Sequence, residues 1–142
     1  MVAIGVFALF VLSVIACGDA AATPLRAVSF VPEVADHITK TIKYCMVKHD
    51  NDPKIIELVR QGSYGVDEPF KKFIHCAYYK SGYANEDGHV LVNKVIKAFP
   101  KDANIEEVTK KCSTIKGEDA EDTTYQFFKC FELNAPIRLA LE

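Results

Sequence analysis

Four cysteines, Cys45, Cys76, Cys112 and Cys130, constrain this chain more than any other feature. None stands in a C-x-x-C pair, so neither a dithiol redox motif nor a zinc knuckle is supported. An even set of this kind in a small secreted domain reads as a disulfide framework. Three connectivities satisfy it, and spacing alone does not choose among them. Bridges closing loops of this size contribute roughly 3–4 kcal/mol each in the chain-entropy description, against about 5–15 kcal/mol for a whole small domain. The cysteine pattern therefore carries a large share of the expected stability.

The secretory context comes from the N-terminus, where the fifth cysteine, Cys17, also lies. Val2 to Ala16 is almost wholly apolar but shorter than the roughly 20 residues a spanning helix needs. Small residues follow it, Ala16-Cys17-Gly18 and Ala20-Ala21-Ala22, as at a signal-peptide cleavage site. The expectation is a removable leader over 1–22, cut between 18 and 22, and a single extracellular domain over 23–142. A lipobox reading of Val14-Ile15-Ala16-Cys17 competes, but the leader lacks the Lys or Arg start such sequences usually show. No later run is apolar and long enough to suggest membrane insertion. With 17 basic and 19 acidic residues and no block of one sign, a nucleic-acid partner is not expected.

Periodicity then gives helix after helix. Pro32 opens the first, to about Lys48, with Val34, Ile38, Ile42 and Cys45 on one stripe. Asp52 caps and Pro53 starts a second, to about Gln61. A third runs from about Pro69 to Lys80 and a fourth from His89 to Phe99. A fifth spans Asn104 to Ile115 and a sixth Ala120 to Leu133. Gly62, Gly82, Gly117, Pro100 and Pro136 punctuate them. No sustained period-2 alternation argues for a sheet. All four cysteines fall on apolar helical stripes, so both bridges would join helices through the core. The expected fold is all-α, a compact bundle of about six helices around an apolar cavity.

Here the spacing resembles that of the insect odorant-binding proteins, the pheromone and general odorant carriers. That family carries six cysteines on six helices, with three residues between the second and third and eight on each side of the fifth. Cys45, Cys76, Cys112 and Cys130 match the first, third, fourth and sixth. Lys72 stands at the second position and Glu121 at the fifth, with eight residues on each side of Glu121. Asn85-Glu86-Asp87-Gly88 and Tyr125-Gln126-Phe127-Phe128-Lys129-Cys130-Phe131 agree as well. Joint loss of the second and fifth cysteines is the pattern of the minus-C subgroup. The resemblance then implies Cys45–Cys76 and Cys112–Cys130 pairing and a more pliable link between the third and sixth helices. Lys72 and Glu121 are candidates for an ion pair there.

The resemblance also implies a secreted, reversible carrier without cofactor or metal, not an enzyme. Its partners would be a small apolar ligand (a long-chain alcohol, aldehyde, ester, fatty acid or terpenoid) and an olfactory receptor surface, with the protein a monomer or weak dimer. From stripe and position the candidate ligand-binding residues are Ile38, Ile42, Ile74, Tyr78, Leu91, Val95, Phe99, Val108, Ile115, Phe127 and Phe131. The Tyr78 hydroxyl would orient an oxygenated ligand. Burial at about 0.8 kcal/mol per methylene, less ordering costs, points to micromolar affinity. His37, His49, His75 and His89 are candidates for a pH-linked release switch, and Ile137, Leu139 and Leu141 for a tail over the pocket mouth. No phosphate loop, H-E-x-x-H or G-x-S-x-G occurs. Two alternatives share the scaffold: a lipid or hormone carrier of haemolymph or reproductive secretions, and a protein-interaction module with a filled core.

Overall fold

The computed structural model describes residues 23–141; the expected leader and its cleavage site lie outside the described residues. In chain order the elements are β1 (Arg26–Val28), α1 (Pro32–Lys48), α2 (Ile55–Arg60), α3 (Glu68–Lys80) and α4 (Val92–Ala98). A 3-10 turn (Lys101–Ala103), α5 (Glu106–Cys112), α6 (Ala120–Asn134) and β2 (Ile137–Leu139) follow.

The long helices begin where local chemistry favours a start. Pro32 occupies the first turn of α1 with Glu33 beside it. Asp67 caps α3 by accepting from the Phe70 N–H at 3.1 Å, and Asp119 caps α6 by accepting from the Asp122 N–H at 2.8 Å. The short helices are shorter than their apolar periodicity predicts. Leu91 N–H donates to the Tyr83 carbonyl at 2.8 Å, and Asn85 N–H donates to the His89 carbonyl at 2.9 Å. These bonds commit residues 89–91 to an antiparallel bridge, Ala84 to Val90, and α4 starts after it. Asn104 sits at φ +54°, which ends the 3-10 turn and delays α5 to Glu106. Asp52 turns the chain ahead of α2, accepting from the Lys54 N–H at 2.8 Å, so that helix also starts late.

The expectation of no sheet needs one correction. β1 and β2 pair in parallel, Arg26 with Ile137, Ala27 with Arg138 and Val28 with Leu139. Two three-residue strands from opposite ends of the domain leave no alternation to read. The ladder continues as Ala140 N–H donates to the Val28 carbonyl at 2.9 Å. The fold remains all-α, with this ribbon tying the two chain ends.

Two apolar clusters form the interior. One gathers Val95, Phe99, Val108, Phe127, Phe131 and Ile137 from α4, α5, α6 and β2. The other gathers Cys45, Phe70, Phe73, Ile74, Tyr125 and Phe128 from α1, α3 and α6. Ile42 and Tyr78 touch both. The disulfides brace one cluster each, Cys45–Cys76 joining α1 to α3 and Cys112–Cys130 joining α5 to α6. This is the two-bridge arrangement of the minus-C pattern.

With no bridge between α3 and α6, polar contacts stitch those helices. Lys71 Nζ meets Asp122 Oδ1 at 2.9 Å, with both side chains largely buried. His75 Nδ1 and Thr124 Oγ1 lie 2.9 Å apart, and Thr124 Oγ1 donates to the Gly88 carbonyl at 2.9 Å. Gly88, at φ +80°, lies so close to Ala120 that a Cβ there would meet the Ala120 carbonyl. Lys72 and Glu121 are not among the ion pairs of the described residues; both line a surface cleft of about 310 Å³ with Lys48, His49, His75 and Lys80. The helix link thus passes to the neighbouring residues Lys71 and Asp122.

That link has a pH signature. The bond from Lys71, and then the Glu118 N–H, hold the Asp122 carboxyl below its ordinary value of 3.8. A depressed carboxyl contributes stability above the unfolded value and loses it as pH falls through the folded one. Asp122→Asn is therefore expected to lower the unfolding midpoint at pH 7, with the deficit shrinking below about pH 4. A deficit undiminished at pH 2 in urea titrations would assign it to something other than charge.

Candidate ligand-binding site

Between the two clusters lies an apolar cavity of about 100 Å³. It is several times the roughly 10–15 Å³ that one water occupies on this measure. Helix α1 contributes Ile38 and Ile42, and α3 contributes Phe73, Ile74, Ala77 and Tyr78. The short α2 adds Ile56 and Val59; Val95, Ala98 and Phe99 come from α4 and its C-cap. Helix α6 adds Phe128, Phe131 and Glu132, while Phe30, Leu139 and Leu141 close the side next to the β-ribbon. Phe30 and Phe99 hold their rings 5.0 Å apart, and Tyr78 meets Phe127 edge-on at 5.8 Å.

Of the candidate residues, Ile38, Ile42, Ile74, Tyr78, Val95, Phe99 and Phe131 line this cavity. Leu91, Val108, Ile115 and Phe127 do not, each for a physical reason. Leu91 precedes α4 and Ile115 follows α5, both 36% exposed, because the helical phase that would turn them inward stops short. Val108 and Phe127 point into the α4–α5–α6 cluster as solid core. Phe73 and Ala77 were legible as neighbours of Ile74 and Tyr78 on the α3 face. Phe30, Ile56, Val59 and Ala98 carry no such signal, since chain crossings bring them in.

The polar groups at the cavity are few: Tyr78, Ser81, Tyr83 and Glu132. Ser81 Oγ donates back to the Ala77 carbonyl. Burial pushes the Tyr78 hydroxyl far above its usual range, with the Glu132 charge adding to the effect. Tyr78 is thus a neutral donor at any physiological pH. Burial also raises the Glu132 carboxyl, and Arg138 opposes that. None of His37, His49, His75 and His89 lines the cavity; His49 and His75 line the surface cleft instead. Burial is the leading cause that lowers both of their pKa values, and His49 also feels Lys48. Among the described residues no cluster of three His, Cys, Asp or Glu is placed to hold a metal ion, and no helix is long and apolar enough to cross a membrane.

Residues 27–134 match the PBP/GOBP family, the pheromone- and general-odorant-binding proteins. The chain belongs to this family. Its members are small-ligand carriers rather than enzymes, and they are secreted, which suits the two disulfides. Solved odorant-binding proteins share the fold. OBP1 of Locusta migratoria is 17% identical with a TM-score of 0.64, covering 74% of this chain and 84% of that one. Odorant-binding protein 7 of Anopheles gambiae, with four disulfide bridges and a bound azo compound, is 21% identical with a TM-score of 0.60, covering 72% and 86%. The fatty acid binding protein OBP56a from the oral disk of the blowfly Phormia regina is 26% identical with a TM-score of 0.54, covering 72% and 92%. No curated protein sequence matches the chain.

Proposed function

We propose that this PBP/GOBP-family chain is a secreted carrier that takes up one small apolar semiochemical, reversibly and at micromolar affinity, in the cavity between its two clusters. The observation that carries the reading is that cavity: it is apolar, bounded by five helices and the β-ribbon, and left open where a filled core would be solid. This argues against an interaction module acting through its surface alone. The lining matches hydrocarbon cargo, and the few oxygens at its edge suit an oxygenated end group. Leu139 and Leu141 act as the cover, consistent with their place beside the cavity. Delivery to an olfactory receptor surface and a monomer or weak-dimer state belong to the same reading. The blowfly relative, described as a fatty acid binding protein, supports lipid cargo outside smell as a second reading.

The test is uptake of N-phenyl-1-naphthylamine, followed by emission, and its displacement by long-chain alcohols, aldehydes and esters. With no Trp in the chain, an added fluorophore is the practical reporter. Uptake with micromolar displacement supports the carrier; a folded protein that takes up nothing excludes it. Ala77 faces the cavity from α3 and offers a block. A phenyl ring there occupies most of the cavity of about 100 Å³, so Ala77→Phe is expected to weaken binding by at least about tenfold. Its melting temperature should stay near wild type, because the ring enters existing space. Unchanged affinity in a folded Ala77→Phe protein would place the cargo elsewhere.

A further inference from the structure

We propose that Glu132 determines the cargo class, selecting a long-chain alcohol over a carboxylate or an ether of the same chain length. The inference rests on the carrier reading above and names the head group that its cavity accepts. Among the described residues Glu132 is the one carboxylate at the cavity, and it is only 8% exposed. It sits on the last turn of α6, where the helix carbonyls already disfavour negative charge. Its only side-chain partner among the described residues is Arg138 of β2, whose Nη1 lies 3.4 Å from Oε2. That guanidinium makes its shorter bond, 2.7 Å, to the Glu132 carbonyl oxygen instead. Oε1 accepts no hydrogen bond from the described residues. Oε1 is not sealed in: among the described residues the one fully buried side-chain oxygen without a partner is the Tyr125 hydroxyl, so Oε1 keeps open space beside it.

The groups facing Glu132 complete a head-group site. Tyr78, on α3, lines the same cavity, and Arg138 of β2 places its Nη1 3.4 Å from Oε2. The Tyr78 hydroxyl has no hydrogen-bond partner among the described residues and borders the same cavity. An alcohol serves both groups: its O–H donates to the Glu132 carboxyl while its oxygen accepts from Tyr78. An ether can only accept, and leaves the carboxyl unmet. A fatty acid carboxylate brings a second negative charge beside Glu132, where the Arg138 guanidinium is the single cation to face both. On this reading the chain departs from fatty acid binding of the kind ascribed to its blowfly relative.

The experiment compares dodecan-1-ol, its methyl ether and dodecanoate as displacers of N-phenyl-1-naphthylamine at pH 7. The panel is wild type, Glu132→Gln and Glu132→Leu, with melting curves to show that each is folded. Wild type is expected to bind the alcohol about tenfold or more tighter than either competitor, the range for a hydrogen bond to a charged group. Glu132→Leu should bring alcohol and ether within about twofold, by binding the ether better and the alcohol worse. Glu132→Gln, which preserves shape, should relieve the penalty on dodecanoate while keeping much of the alcohol's advantage over the ether. Alcohol-to-ether and alcohol-to-acid ratios identical in wild type and both variants would overturn the proposal and leave Glu132 as a partner of Arg138 alone. If Glu132→Leu does not fold, Glu132→Gln decides through the alcohol-to-acid ratio. A wild type that takes up no fluorophore would instead defeat the carrier reading, and this inference with it.

Discussion

Replacing both Cys45 and Cys76 with alanine is expected to remove about 4 kcal/mol of stability, since the bridge closes a loop spanning 31 residues. The matching Cys112→Ala/Cys130→Ala pair closes 18 residues and is expected to cost about 3 kcal/mol. Either is a large part of the roughly 5–15 kcal/mol available to a domain of this size. The order matters because of what each bridge holds. Cys45–Cys76 joins α1 to α3, and these two helices supply Ile38, Ile42, Phe73, Ile74, Ala77 and Tyr78 to the cavity. Its loss should weaken fluorophore uptake as well as stability, whereas Cys112–Cys130 joins α5 to α6, away from most of the lining. Urea titrations of both double variants supply the comparison. A change under about 1 kcal/mol in either, against the usual 2–5 kcal/mol for lost native bridges, would mean packing alone holds the helices.

Phe127→Ala is the other large effect, expected at about 3–5 kcal/mol with little change in affinity for the molecules that remain folded. Phe127 is 2% exposed and meets Phe131 at 5.9 Å and Tyr78 at 5.8 Å between ring centroids. It belongs to the solid cluster and does not border the cavity. The prediction thus separates the core from the cavity on a single helix: Phe131, one turn on, borders the cavity. Measuring fluorophore affinity well below the unfolding midpoint tests it. A Phe127→Ala protein of near-wild-type stability, or one that is folded but has lost uptake, would show that this division is misplaced.

The same contrast shows how far local pattern reaches. The α1 bounds Pro32–Lys48 are legible in the sequence, because a proline start and an apolar stripe lie within the element and an Asp50-Asn51-Asp52-Pro53 stop follows directly after it. The fourth and fifth helices were overestimated, since residues 89–91 bond to 83–85 and Asn104 takes a left-handed turn, and neither competitor shows in apolar spacing. Leu91 and Ile115 lie outside the cavity for the same reason. Val108 and Phe127 lie outside it for a different reason: a buried stripe is the same stripe whether its far side meets other side chains or open space.

Glu132 illustrates the limit from the other side. An acid four residues after Phe128 and next to Phe131 interrupts an apolar stripe near a helix end, a visible irregularity whose meaning depends on where β2 brings Arg138. The sequence by itself determined the helical class, the starts of the three long helices α1, α3 and α6, and the four-cysteine framework, because hydrogen bonds between residues one turn apart and capping within three residues are local. Only the tertiary structure decided the parallel pairing of Arg26–Val28 with Ile137–Leu139, the passing of the α3–α6 link to Lys71 and Asp122, and the site of the cavity. Each of these joins segments far apart in the chain, where chain closure and mutual packing, rather than any local preference, set what meets what.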